Sequence, residues 1–204
     1  YSYWPITQAQ RDLNIDFFHL VMGVDPQNPP EGSIDFDDFL LTYRNYSLLS
    51  PTNGGRLLSA PPAETDVSWL RAAATLTDGW RHGRNKMWKS AADPSSPQEF
   101  VYELNVGMRS PAAVTLQTIQ LHQNPEWPAR DVEVLVSTDG ESFASLLKTR
   151  MEEHSVPNAN FAFTIARDLS TTARFLTVRV LSGYRKKHWG MGEIEAFGSA
   201  ALMA

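Results

Sequence analysis

After Tyr46 the sequence contains no amphipathic run long enough for a crossover helix, yet short stretches of alternating apolar and polar residues recur to its end. Parallel strands need a crossover of a dozen or more residues, usually helical, so such a chain favours antiparallel sheets over a parallel α/β sheet. The alternation is regular. Phe100, Tyr102, Leu104 and Val106 alternate with Val101, Glu103 and Asn105; Ile119 and Leu121 with Gln120 and His122; Val132, Val134 and Val136 with Glu133, Leu135 and Ser137. Phe161, Phe163 and Ile165, then Leu176, Val178 and Val180, then Ile194 and Ala196 repeat it. That period belongs to strands buried on one face. Arg56 to Ala60 and Val67 to Ala74 read as further short strands separated by Pro61-Pro62. The expected fold class is mainly β, with two antiparallel sheets packed as a sandwich.

The 204 residues are enough for one good-sized core, and with no cysteine the chain has neither disulfides nor thiolate metal sites. A formal net charge of −5 argues against a generic nucleic-acid binder. No apolar run reaches membrane-span length, and the opening YSYWPITQAQR lacks the regions of a signal peptide. A chain beginning at Tyr1 reads as a processed product or a piece of a larger protein.

Residues 1–52 have a different character. Leu13, Phe17, Leu20 and Val21 fall at helix spacing after a capping Thr7, and Phe36, Phe39, Leu40 and Tyr43 form a second apolar face closed by Ser50 and Pro51. The linker DPQNPPEGSIDFDD offers Glu31, Asp35 and Asp38 around Gly32, a partial calcium-loop pattern, but Gln27 and Pro29 stand where the first acidic ligands belong. The competing reading is two amphipathic helices joined by a solvated acidic loop. The expected division is therefore a helical segment at 1–52, a β-sandwich at 53–199 and a tail at 200–204.

Two loops draw functional interest. HQNPEWPAR lies between two strands; its prolines rule out a tight hairpin, and it offers His122, Asn124, Glu126, Trp127 and Arg130. A sugar ring has an apolar face that stacks on an aromatic and a hydroxyl rim that needs directed donors and acceptors, which this set supplies. The late loop SGYRKKHWGMG carries Tyr184, Arg185, His188 and Trp189, and with Lys186 and Lys187 it is basic, as are Arg81, His82, Arg84 and Lys86 in LTDGWRHGRNKMWKS. The basic residues fit an anionic glycan; equally, they solvate a loop, and Trp127 or Trp189 can cap the core. His19, His82, His122, His154 and His188 show no HExxH or HxH spacing, and no nucleophile elbow, phosphate loop or dinucleotide fingerprint occurs.

In order, LTDGW, EFVYELNV, VEVLVSTDGESF and ARFLTVRVLSGYRKKHWGMGEIEAFG resemble the discoidin, or coagulation-factor type C, domain of galactose-binding-like fold, over about Gly54 to Gly198. The segment SIDFDDFLLTYRNY separately resembles half of a dockerin repeat. The first resemblance implies an eight-stranded jelly-roll sandwich in which the strands around HQNPEWPAR are neighbours. It also implies a binding module rather than an enzyme, with ligand contacts on loops at one end. The family often carries an arginine near the position of His122. Many members hold a structural calcium ion, and the positions that match its carboxylate ligands are Asp78 and Glu193; alternatively Arg81 or Arg84 pairs with Glu193.

The function expected is carbohydrate recognition, with an anionic glycan as one reading of the charge, within a larger exported bacterial protein outside the cytoplasm. The runner-up is a protein-interaction module in which the N-terminal helices bury against another domain or subunit.

Overall fold

The computed structural model describes residues 47–64, 72–79, 87–105, 113–153 and 163–200, all within a compact unit running from Arg44 to Ala204. The expected N-terminal helices, the dockerin-like segment and its acidic loop lie outside the described residues. So do Val67, Trp80, Arg81, His82, Arg84, Lys86, Val106, His154 and Phe161.

Ten strands occur among the described residues: β1 (Arg56–Ser59), β2 (Trp88–Lys89), β3 (Gln98–Glu103), β4 (Val114–Gln123), β5 (Asp131–Ser137), β6 (Ala144–Arg150), β7 (Phe163–Ala166), β8 (Thr171–Ala173), β9 (Phe175–Val180) and β10 (Gly190–Ala200). One sheet has the order β1-β3-β9-β5-β6; the other runs β2-β10-β4-β7, with β8 also on β4. All these pairings are antiparallel. The count exceeds the expected eight because short pieces complete the second sheet, β2 having two residues and β8 three.

The alternation read from the sequence fills the space between the sheets. Phe100, Tyr102, Val132, Val134, Leu176 and Val178 enter from the first sheet, and Leu116, Ile119, Leu121, Met191, Ile194 and Ala196 from the second, forming one cluster. Each fully buried large side chain is worth about 1.5–3 kcal/mol of transfer free energy. The sheets are keyed together where Trp88 meets Phe100 edge-on, with centroids 4.7 Å apart and planes at 90°, a geometry that adds about 0.5–1.5 kcal/mol beyond burial.

Four local readings change. Ala73–Leu76 is a 3₁₀ helix rather than the end of a strand, tightened by Thr75 Oγ1 donating to the Ala72 carbonyl at 2.7 Å. Trp88 and Lys89, read as part of a charged loop, form a strand on β10 with Trp88 wholly buried. Leu48 and Leu49 join the core, and Ser50 caps a 3₁₀ turn at Pro51–Asn53, so the β unit begins before residue 53. Finally, β4 and β5 are not paired neighbours: β4 lies between β10 and β7, β5 between β9 and β6. The loop joining them carries the chain from one sheet to the other.

Gly198 sits where β10 shifts register against β4, and a Cβ there would lie 2.1 Å from the Thr115 carbonyl oxygen. Backbone, unlike a side-chain tip, has no rotamer with which to yield. Gly198→Ala is expected to lower the unfolding free energy by about 2–3 kcal/mol, read as a lower urea midpoint at unchanged m-value. An unchanged midpoint would show that the two strands are not held this closely.

Candidate functional site

The sheet-to-sheet loop is built by two buried amides, Asn124, which the sequence reading took as a ligand group, and Gln123, which it overlooked. Gln123 Oε1 accepts the N–H groups of Asn124 at 3.1 Å and Ala129 at 3.0 Å, while its Nε2 donates to the carbonyls of Ala129 at 2.8 Å and Glu152 at 2.9 Å. All four hydrogen-bonding positions of the side chain are used. Asn124 Oδ1 accepts from the N–H groups of Glu126 at 2.9 Å and Trp127 at 3.1 Å, and Nδ2 donates to the Trp88 carbonyl at 3.3 Å. This is an asparagine turn, in which the side chain replaces a backbone acceptor.

The loop is stitched to the β9–β10 loop. Arg130 N–H donates to Ser182 O at 2.8 Å, Tyr184 N–H to Pro128 O at 2.9 Å and Ala129 N–H to Gly190 O at 3.1 Å. Asp131 anchors the seam: Ser182 Oγ donates to it at 2.6 Å, Arg130 Nε at 2.8 Å and Arg150 Nε at 3.0 Å. The serine hydroxyl and then the two guanidiniums hold its carboxyl down to about 2, against the opposing effect of burial. What reads as two separate loops is one surface.

At its centre Trp127 stands half-buried. Lys89 Nζ lies 4.0 Å from the indole centroid, and the His188 ring is edge-on at 6.3 Å and 69°. His188 Nδ1–H donates to the Ser90 carbonyl at 3.1 Å; a carbonyl only accepts, so in the neutral ring Nε2 is the acceptor. Ser90 Oγ also accepts the Trp189 N–H at 3.0 Å. Trp189 packs on Gly183, where an added Cβ would lie 2.3 Å from the indole, and its Nε1–H donates to Arg185 O at 3.2 Å. Tyr184 donates its hydroxyl to Met151 O at 2.9 Å, and Arg185 pairs with Glu153.

Of the residues singled out from sequence, Glu126, Trp127, Arg130, Tyr184, Arg185 and Trp189 thus gather on this surface, and His188, 9 % exposed, is buried beside Trp127. Two do not face it as ligand groups. His122 is the penultimate residue of β4, is buried, and its Nε2 lies 2.9 Å from Glu195 Oε2. Asn124 is buried, and both ends of its amide serve the loop. Gln123, Lys89, Ser90 and Ser182 escaped the sequence reading. Gln123 carried a signal, since a glutamine beside an asparagine at the end of a strand is well placed to serve loop amides; the others depend on which strand edges meet.

The Asp78-Gly79 turn is present, with Gly79 at φ 83°, and its Gly79 N–H donates to Glu193 Oε1 at 2.9 Å. The sequence-distant pair Asp78 and Glu193 is therefore brought to one place. Glu193 is 0 % exposed. Burial, and then the negative charge of Glu193, push the Tyr102 phenol far above its usual range. Among the described residues no three His, Cys, Asp or Glu side chains converge as a metal cluster.

Asp131→Asn tests the seam. The folded carboxyl lies below its ordinary value of 3.8, so its stabilisation is complete above about pH 4 and is lost as the pH falls toward 2. At 1.36 kcal/mol per unit the shift amounts to about 2 kcal/mol, which solvent screening of a carboxylate 31 % exposed reduces to about 1 kcal/mol. Wild type is expected to exceed the variant by that amount at pH 6 in urea titrations, with the gap closing between pH 4 and 2. A gap independent of pH would remove the carboxylate from the seam.

No family model matches the chain, and no curated protein does. Solved structures do. A family 32 carbohydrate-binding module of a Clostridium perfringens family 89 glycoside hydrolase, in complex with GalNAc-β-1,3-galactose, matches at 17 % identity and TM-score 0.57 over 74 % of this chain and 99 % of that one. The family 32 module of C. perfringens NanJ, in complex with galactose, matches at 14 % identity and TM-score 0.55 over 74 % and 97 %. A fragment of a Bacteroides thetaiotaomicron protein described as a chitobiase matches at 13 % identity and TM-score 0.59 over 81 % and 100 %. The chain has the antiparallel β-sandwich fold of these carbohydrate-binding modules.

Proposed function

We propose that the chain is a non-catalytic carbohydrate-binding module, part of a larger exported protein, and that it binds a sugar at the Trp127–His188 surface. The observation that carries this reading is the convergence of two loops on one half-buried indole, with the acceptor nitrogen of His188 beside it and Glu126 and Arg185 exposed at its rim. Neighbours of the same fold hold galactose or GalNAc-β-1,3-galactose, and one match covers only 14 % of a family 89 glycoside hydrolase chain, as a domain within a larger enzyme would. Charge favours a neutral ring over the anionic glycan. Lys89, Arg130 and Arg185 are each paired with a carboxylate, Glu64, Asp131 and Glu153, so that among the described residues of the two loops Lys186 and Lys187 are the exposed lysines. The interaction-module alternative rests on the helices outside the described residues.

Titration calorimetry with galactose and GalNAc-β-1,3-galactose, beside a glycan array, tests the reading. Trp127→Ala is expected to weaken binding at least about tenfold, the loss of one stacked aromatic, with an unchanged melting temperature. Wild-type protein that binds no glycan on the array overturns it.

We further propose that the Asp78 turn takes a structural calcium ion. Two carboxylates at one glycine turn offer hard charged oxygens of the kind calcium takes, and the Gly79 N–H donor to Glu193 holds that carboxylate at the turn. Asp78 and Glu193 would hold the ion, which would tie the turn to β10. Chelation is expected to lower the melting temperature by roughly 5 °C, restored by added calcium. No change on chelation, with Asp78→Ala indistinguishable from wild type in calcium, sinks the idea.

A further inference from the structure

We propose that Lys89 is a positioning residue that clamps the Trp127 indole in the orientation used for recognition; its link to binding rests on the carbohydrate reading above. Lys89 is only 7 % exposed, an unusual state for an ammonium, which is almost never buried unless partnered. Its two partners lie on either side. Glu64 supplies the counter-charge, and the Trp127 ring supplies a π face 4.0 Å away, within the range of a cation–π contact.

The backbone fixes where the ammonium stands. Lys89 is the last residue of β2 and pairs with Gly190, Glu64 N–H donates to the Lys89 carbonyl at 2.9 Å, and its neighbour Trp88 is locked in the core against Phe100. The ammonium is thus presented from the rigid sheet. Trp127 belongs to the loop, where Asn124 fixes its backbone but does not set its side-chain torsions. The His188 ring meets the indole edge-on, and the lysine adds a contact on the face of the ring. It also assigns the two faces of the indole: one lies against the ammonium, so a sugar that stacks on Trp127 must use the other or displace the lysine. Burying the ammonium between a carboxylate and a ring is a costly way merely to fill space, and Met would fill it without charge. The Glu64–Lys89–Trp127 arrangement is accounted for if orientation of the ring is what it provides.

Nuclear magnetic resonance of the full chain tests this without a ligand. In wild type the Lys89 ε-methylene protons should be shifted upfield by the indole ring current, a shift abolished by Trp127→Leu. Lys89→Met should retain the melting temperature but broaden or split the Trp127 indole N–H signal, assigned by its loss in Trp127→Phe, and Lys89→Arg should restore a single line. In a second arm, Lys89→Met should weaken binding of GalNAc-β-1,3-galactose by about fivefold and Lys89→Arg should recover most of it. Ordinary Lys89 shifts in wild type, or a Trp127 signal and an affinity both untouched in Lys89→Met, overturn the proposal. If wild type binds no sugar, the carbohydrate reading fails by itself, and the indole signal still decides whether Lys89 clamps the ring.

Discussion

The geometry of the candidate site depends on how the chain crosses from one sheet to the other between β4 and β5. A crossing of this kind strips several backbone N–H and C=O groups of ladder partners in a place where water cannot replace them, and each unsatisfied group would cost about 1–3 kcal/mol. Gln123 answers three of these demands with one side chain and Asn124 two more, and their remaining N–H groups tie the crossing to the Glu152 and Trp88 carbonyls. Because amides are directional, they fix the path of the loop as well as its energy. Trp127 is carried outward on a backbone whose hydrogen bonds are fixed from inside.

Period-two alternation named the side chains that β3, β5 and β9 send into the core, although Glu133, Ser137 and Thr177 at the alternate positions are buried as well. It failed for physical reasons that differ from strand to strand. In β10 the carboxylates Glu193 and Glu195 are as buried as Ile194, so polarity there does not report exposure. Strand β2 is too short to show a period and lies among charged residues. Strand β6 is an edge with one partner and mostly exposed side chains, so burial imposes little pattern on it. Alternation also reports which side of a strand is buried and says nothing about its partner, which is why β4 and β5 read as neighbours when they lie in different sheets.

The site was legible to the same partial degree. Trp127, His188 and Trp189 stand out because aromatic residues between prolines or glycines on loops are costly unless they cap or bind something. The basic character of the late loop was visible too, but Glu153 reaches Arg185, and Glu64 reaches Lys89 on β2, only through the folded chain. His122 and Asn124 were visible and misplaced in role, for a side chain at a strand end can turn inward as readily as outward.

The distribution of buried polarity explains why this end of the sandwich, rather than the sheets' aliphatic middle, suits recognition. Hydrophobic contact is non-directional and tolerates small slips in position, whereas a hydrogen-bonded network in a low-dielectric interior is stable only when every member is in register. Gln123, Asn124, Ser90 and the Asp131–Ser182 pair form such a network beneath Trp127 and His188. Their arrangement is a poor way to gain stability, since well-packed apolar groups of similar volume often do as well. What it supplies is a fixed separation between an aromatic ring and a hydrogen-bonding nitrogen, the separation that the proposed sugar site would use on a rigid ring whose hydroxyls point in set directions.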